Sequence, residues 1–155
     1  MLRARVRRTR RLVRERLESA FLDDYTPREV AFSFGLGLFI TALPTLGTGV
    51  LVFLVLVYLF KQVSKIALFA SVLVLNPAVK WGVYASSYWL GQRLLGPVPG
   101  FSFEGVDLAA GPAVLTRLWL GNLILASVFA AVGYVVALRL VVDLRRRLAS
   151  ETLVV

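Results

Sequence analysis

The stretch from Val30 to Phe60, VAFSFGLGLFITALPTLGTGVLVFLVLVYLF, decides how this chain folds. It is apolar enough for a membrane anchor, yet Pro44-Thr45-Leu46-Gly47-Thr48-Gly49 interrupt it in the middle. Helix breakers at membrane depth are tolerated only where neighbouring protein or a polar cavity satisfies the freed backbone groups, so the break is read as a working part. A second apolar stretch, Ile66 to Leu90, is interrupted in the same way by Asn76-Pro77, and a third runs from Leu115 to Val142.

Composition agrees with that reading. Of 155 residues 58% are hydrophobic and the mean hydropathy is +0.77, values that point to an all-α integral membrane protein of the plasma (inner) membrane with a single compact membrane domain. Cysteine and histidine are absent, which removes disulfides, thiolate chemistry, the usual zinc sites and imidazole acid–base catalysis. The carboxylates Asp23, Asp24, Glu29, Glu104, Asp107, Asp143 and Glu151 flank the apolar blocks, so neither a metal site nor a carboxylate relay is expected at mid-membrane, and no cofactor. No nucleophile–base pair can be assembled within the blocks, and the protein is read as not an enzyme. Ser33, Ser71, Ser86 and Ser87 are read as helix-packing residues.

The net charge of +9 is concentrated at the start. Arg3, Arg5, Arg7, Arg8, Arg10, Arg11, Arg14 and Arg16 share the first turns with Leu2, Val6, Val13, Leu17 and Phe21 at helical spacing. Residues 1–25 are therefore expected to form an amphipathic helix on the anionic inner leaflet, each cation contributing about 1 kcal/mol. Aromatic residues are not interleaved with the arginines, so nucleic acid is not the expected partner. Arg10-Arg11 are followed by Glu15, Glu18, Asp23 and Asp24 where an export signal needs an apolar run, which excludes that reading.

The next unit, residues 26–96, is the membrane core. Thr26-Pro27-Arg28-Glu29 has the form of a capping box with proline at the first helical position. A helix from Glu29 to Leu43 is about 22 Å long against a hydrocarbon core of about 30 Å, and Leu46 to Phe60 falls short equally. The first block is thus either one overlong kinked span or two half-helices in a re-entrant hairpin. Lys61 and Lys65 follow it, Glu104 and Asp107 are the charges of the 97–113 connector, and Arg145-Arg146-Arg147 follow the last block in the 114–155 unit. The positive-inside rule then favours cytoplasmic termini, a re-entrant first block, a second block crossing outward with a kink at Asn76-Pro77, and a third crossing back. Hairpins in both interrupted blocks would leave the arginine-rich C-terminus outside. Along the third block Ala126, Ala130, Gly133 and Ala137 form a small-residue stripe for close helix packing, within the chain or in a homodimer, while Arg117 and Arg139 snorkel to headgroups. Gly35 and Gly37 are read as packing glycines, and Tyr58, Trp81, Tyr84, Tyr88 and Trp89 as interfacial anchors.

Chemistry is expected at the breaks. Pro77 starting a helix leaves first-turn N–H groups free at the positive end of the dipole, Asn76 precedes it, and Lys80 adds a full charge one turn on. Pro44, Thr45, Gly47, Thr48 and Gly49 offer hydroxyl donors and close backbone approach at the other break. Together these residues are the candidate site for an anion or lipid headgroup, in the manner of transporters with broken helices. The plainer reading has Asn76 capping its own helix, Pro77 kinking a span and Lys80 snorkelling.

The run from Thr26 to Pro44, followed by Val-Leu-Asn-Pro-Ala from Val74 to Ala78 and Tyr-Trp-Leu-Gly from Tyr88 to Gly91, resembles the family named domain of unknown function 2062. The resemblance covers Thr26 to Gly96, and the chain departs from the family's usual tip after Pro44. It implies a membrane protein without an agreed activity and, by analogy with fused members, a membrane-associated glycosyltransferase as partner. Two functions compete: binding or translocating a phosphate-bearing lipid, and a non-catalytic scaffold that recruits an envelope or glycosylation enzyme.

Overall fold

The computed structural model describes residues 25–45, 48–98 and 111–152, all of them helix or short connection. The arginine face from Arg3 to Arg16, Leu46 and Gly47 of the first break, and the connector over 99–110 lie outside the described residues. The helices are α1 (Pro27–Ala42), α2 (Gly49–Leu59), α3 (Lys65–Val74), α4 (Pro77–Leu95) and α5 (Gly111–Thr152).

Local chemistry sets where α1 starts and stops. The Thr26 hydroxyl accepts the Glu29 N–H at 3.2 Å, and the Glu29 carboxylate accepts the Thr26 N–H at 2.7 Å, with Pro27 in the first turn. At the far end Leu43 is extended, φ −63° and ψ 148°, because the ring of Pro44 disfavours a helical residue before it.

Gly35 and Gly37 explain the position of α1 in the bundle. Residues two apart lie about 200° apart around a helix, so the two glycines open opposite faces. A Cβ on Gly35 would stand 2.8 Å from the Ala130 carbonyl oxygen of α5, and one on Gly37 would stand 2.8 Å from the Leu68 carbonyl oxygen of α3. Thus α1 is pressed between α5 and α3 at backbone distance, an approach that needs small residues.

Partners along the chain fix the directions. Gly35 meets Ala130 and Tyr134, Ala42 meets Asn122, and Arg145 donates to the Tyr25 carbonyl, so α5 runs antiparallel to α1. Ser33 accepts the Ser64 N–H at 2.8 Å while Gly37 meets Leu68 and Ser71, so α3 runs parallel to α1. Parallel α1 and α3 require α2 to bring the chain back, and the first block is therefore two helices folded as an up-and-down pair. Antiparallel α4 and α5 meet where a Cβ on Gly121 would collide with the Ser87 carbonyl and one on Gly91 with the Arg117 carbonyl.

Two apolar clusters fill the interior. Leu38, Ala42, Leu75, Val83 and Ala126 join α1, the end of α3, α4 and α5. Ile40, Phe53, Val63 and Leu68 join α1, α2 and α3. The stripe on α5 faces inward: Ala126 is buried, Ala130 lies against Gly35, and a Cβ on Gly133 would run into Leu38.

The second block bends more than a kink. The axes of α3 and α4 differ by 72°, since Leu75 leaves the helix at φ −94° and ψ 56° and Asn76 starts a new one with its own cap. By contrast α5 runs unbroken for 42 residues, about 63 Å, and is the one helix among the described residues long and apolar enough by itself to cross a membrane. Its described part runs from Gly111 past Val142 and through the arginine triplet. The start of α1, the Lys61–Lys65 link and Arg145 to Arg147 consequently share one end of the bundle, while Arg93 and Arg117 mark the other.

A candidate site where the two breaks meet

A helix that stops inside an apolar bundle leaves its last carbonyls without partners. For α1 they are supplied from far along the chain. Asn122 on α5, fully buried, donates from Nδ2 to the Ala42 carbonyl at 3.0 Å and to the Ser87 hydroxyl at 3.3 Å. Ser87 passes its own proton to the Val83 carbonyl at 2.7 Å. The Leu43 carbonyl accepts the Thr45 N–H at 2.8 Å and, at a long 3.5 Å, the Tyr84 hydroxyl of α4. Tyr84 is thus turned into the bundle, unlike the exposed Tyr58, Trp81 and Trp89.

The two breaks occupy one region, because Leu75, one residue before Asn76, packs in the same cluster as Ala42 and Leu43. Around that region the candidate residues differ in availability. Asn76 Oδ1 accepts the Val79 N–H at 3.1 Å, so its side chain caps its own helix, with Pro77 in the first turn as expected. Thr48 donates its hydroxyl to the Thr45 carbonyl at 2.7 Å and leaves the first turn of α2 without a side-chain cap. A Cβ on Gly49 would sit 3.1 Å from the Thr45 hydroxyl, a tight turn directly after Pro44. Lys80 is half-buried. Its spacing to Tyr84 and Ser87 puts it on the α4 face that carries those two residues. No hydrogen bond or ion pair joins Lys80 to the first break among the described residues. Two buried oxygens at or beside the end of α1, Thr41 Oγ1 and Asn122 Oδ1, have no hydrogen-bond partner among the described residues.

The last carbonyls of α4 are held in a comparable way. Arg117 donates from Nε to the Gly96 carbonyl at 2.8 Å, from Nη1 to Ala113 at 3.0 Å, and from Nη2 to Pro97 at 3.2 Å and Leu95 at 3.4 Å. Gly96 makes the exit at φ 79°, a left-handed conformation suited to glycine. Arg117 is therefore a cap and not simply a snorkelling cation. Asn122, Tyr84 and Arg117 were invisible as a set in the sequence. The available signal was Asn122 itself, an amide in a run otherwise free of strongly polar groups.

A cavity of about 520 Å³ opens elsewhere, at the base of the α1–α2 pair, between Arg28, Phe32 and Leu36 on one side and Leu56 and Phe60 on the other. Tyr134 of α5 contributes to its lining. The sequence reading contained no site here.

A family model described as an uncharacterized protein conserved in bacteria, DUF2062, matches residues 10–149. The chain belongs to this family. No curated protein and no solved structure matches. The DUF2062 match extends past the Thr26 to Gly96 resemblance and takes in α5 as far as Ala149, so the helix bearing Arg117, Asn122 and Arg145 is part of the family's pattern and not an addition to it.

Proposed function

We propose that this DUF2062 protein is a multi-pass inner-membrane protein that binds a phosphate-bearing headgroup where its two helix breaks meet. The membrane setting rests on length and exposure. Between Arg117 and Arg139 lie twenty-one residues without a charge, about 31 Å of helix, matching a hydrocarbon core of about 30 Å. On that ruler Asn122 stands about 9 Å from the middle of the core, towards the Arg117 end. Helix α1 then passes the midplane and α2 returns, which is a re-entrant hairpin, while bent α3–α4 crosses and α5 crosses back. The end bearing Lys61, Lys65 and Arg145 to Arg147 is cytoplasmic by the positive-inside rule.

The observation carrying the binding reading is the capping of α1. Donors from Asn122 and Tyr84 cover its terminal carbonyls, and what the junction then offers a ligand is the uncapped start of α2 and the charge of Lys80. A helix N-terminus with a nearby lysine favours an anion. A lysine costs roughly 2.5–3.5 kcal/mol on insertion scales at the centre of a span and less towards its ends, and a bound phosphate offsets that cost.

The test is a thermal-shift series in uncharged detergent, wild type beside Lys80→Ala, titrated with a polyprenyl phosphate and with the matching alcohol. Stabilisation by the phosphate alone, lost in Lys80→Ala, is the expected result. Equal shifts by the two compounds, or a shift unchanged in Lys80→Ala, sink the reading.

A scaffold role is the second reading, favoured by the bare apolar face of α2 bearing Leu51, Leu54, Val55, Tyr58 and Leu59, which fits a partner helix, from a second copy or a membrane-associated glycosyltransferase, as well as lipid. On that reading deletion of Leu2 to Arg16 removes function in cells and Lys80→Ala leaves it intact.

A further inference from the structure

We propose that the cavity at the base of the α1–α2 hairpin is a lipid site of its own, holding the phosphate of an inner-leaflet phospholipid at Arg28 and the upper part of one chain between the helices. The inference rests on the membrane setting proposed above but not on the Lys80 site.

The walls and the rim carry different chemistry. Phe32 and Leu36 of α1 face Leu56 and Phe60 of α2 across a cavity of about 520 Å³, inside the range of small-molecule sites, about 300–1,000 Å³. Phe32 and Phe60 are 57% and 54% exposed, so the groove is open at the side and a chain slides in laterally. From Arg28 to Leu36 it rises about 12 Å along α1, close to the depth of one leaflet's hydrocarbon, which is half of about 30 Å. It lies where α1 and α2 make few contacts with one another.

Arg28 supplies the choice of headgroup. Its neighbour Glu29 also lines the cavity and keeps its negative charge, but its carboxylate is held at the start of α1, accepting the Thr26 N–H at 2.7 Å, and among the described residues no carboxylate pairs with Arg28. An exposed guanidinium beside an apolar groove, on the basic end of the bundle, complements a phosphate with bidentate geometry. Hydrocarbon surrounds a membrane protein everywhere, so apolar walls alone confer little preference between lipids. The charge-assisted bond at Arg28 makes one lipid class preferred, and the groove requires that the phosphate arrive with a chain attached.

The experiment counts bound lipids by native mass spectrometry on the full chain in uncharged detergent. Probes are phosphatidic acid, phosphatidylcholine with the same chains, and inorganic phosphate. The variants are Arg28→Gln, Leu56→Trp to narrow the groove, and Lys80→Ala. Leu56 lies on the sparingly packed α2, and each variant is checked against the wild-type thermal unfolding curve before titration. We expect one phosphatidic acid per chain, bound at least tenfold tighter than phosphatidylcholine, with that preference lost in Arg28→Gln, binding weakened tenfold in Leu56→Trp, and Lys80→Ala like wild type. Phosphatidic acid binding unchanged in Arg28→Gln, or competition by inorganic phosphate at equal concentration, overturns the proposal. Loss of binding in Lys80→Ala alone overturns the groove and leaves the junction standing. Loss in Arg28→Gln and Leu56→Trp, with Lys80→Ala like wild type, supports the groove.

Discussion

Helices α1 and α2 come from one apolar run and have opposite lives. Against α1 lie α3 on one side and α5 on the other, and nine of its sixteen residues are buried. On α2 only Phe53 is buried, edge-on to Phe69 with ring centroids 5.7 Å apart. Hydrophobicity does not separate the two, and if anything favours the wrong one, because α2 is the more uniformly apolar. Small and hydroxylated residues separate them: Ser33, Gly35, Gly37 and Thr41 are on α1, whereas α2 beyond its first residue is built of Val, Leu, Phe and Tyr. In the membrane setting proposed above, burying a leucine against protein gains little over burying it against acyl chains, so the inside of the bundle is chosen by close approach and hydrogen bonding.

The contrast can be broken by substitution. Gly37→Leu should have the largest effect, since its side chain would enter the space of the Leu68 carbonyl and Ser71. Overpacking costs about 1–3 kcal/mol where flexible side chains can yield and more against backbone, and we expect loss of monodisperse protein by size-exclusion chromatography. Asn122→Leu comes next. It keeps the branched shape and the number of heavy atoms but strands the Ala42 carbonyl, and a drop of about 1–3 kcal/mol in denaturant unfolding is expected. Leu54→Ala on α2 should be close to silent, within about 0.5 kcal/mol in the same measurement. If Leu54→Ala cost as much as Asn122→Leu, α2 would be a packed helix and the division drawn here would be wrong.

Much of this division was legible in residue types. The Thr26–Glu29 capping box, the stops at Pro44 and Asn76, the packing role of Gly35 and Gly37 and the stripe from Ala126 to Ala137 can be read directly, because each depends on neighbours within a turn or two. Register could not be read. Nothing local tells Asn122 that its acceptor is Ala42, eighty positions earlier, or tells Arg117 that the end of α4 will stop beside it. The bend of 72° was underestimated for a related reason: proline announces a break, but the angle is set by what the two halves pack against. At the candidate site the sequence located both breaks and Lys80. It gave Asn76 to a ligand and to its own helix in turn, and in the structure the cap has it. The groove at Arg28 is not legible because it depends on how closely two helices pack, a property of their contacts and not of their composition.

The Asn122–Ala42 bond also has a bearing on biosynthesis. Its two halves leave the ribosome eighty residues apart, which at about 5–20 residues per second is an interval of roughly 4–16 s. Throughout that time the carbonyl at the end of α1 has no donor from α5 and needs another partner. The end of α1 is therefore completed only after α5 arrives, and a chain truncated before Asn122 would present quality-control proteases with an unfinished helix end.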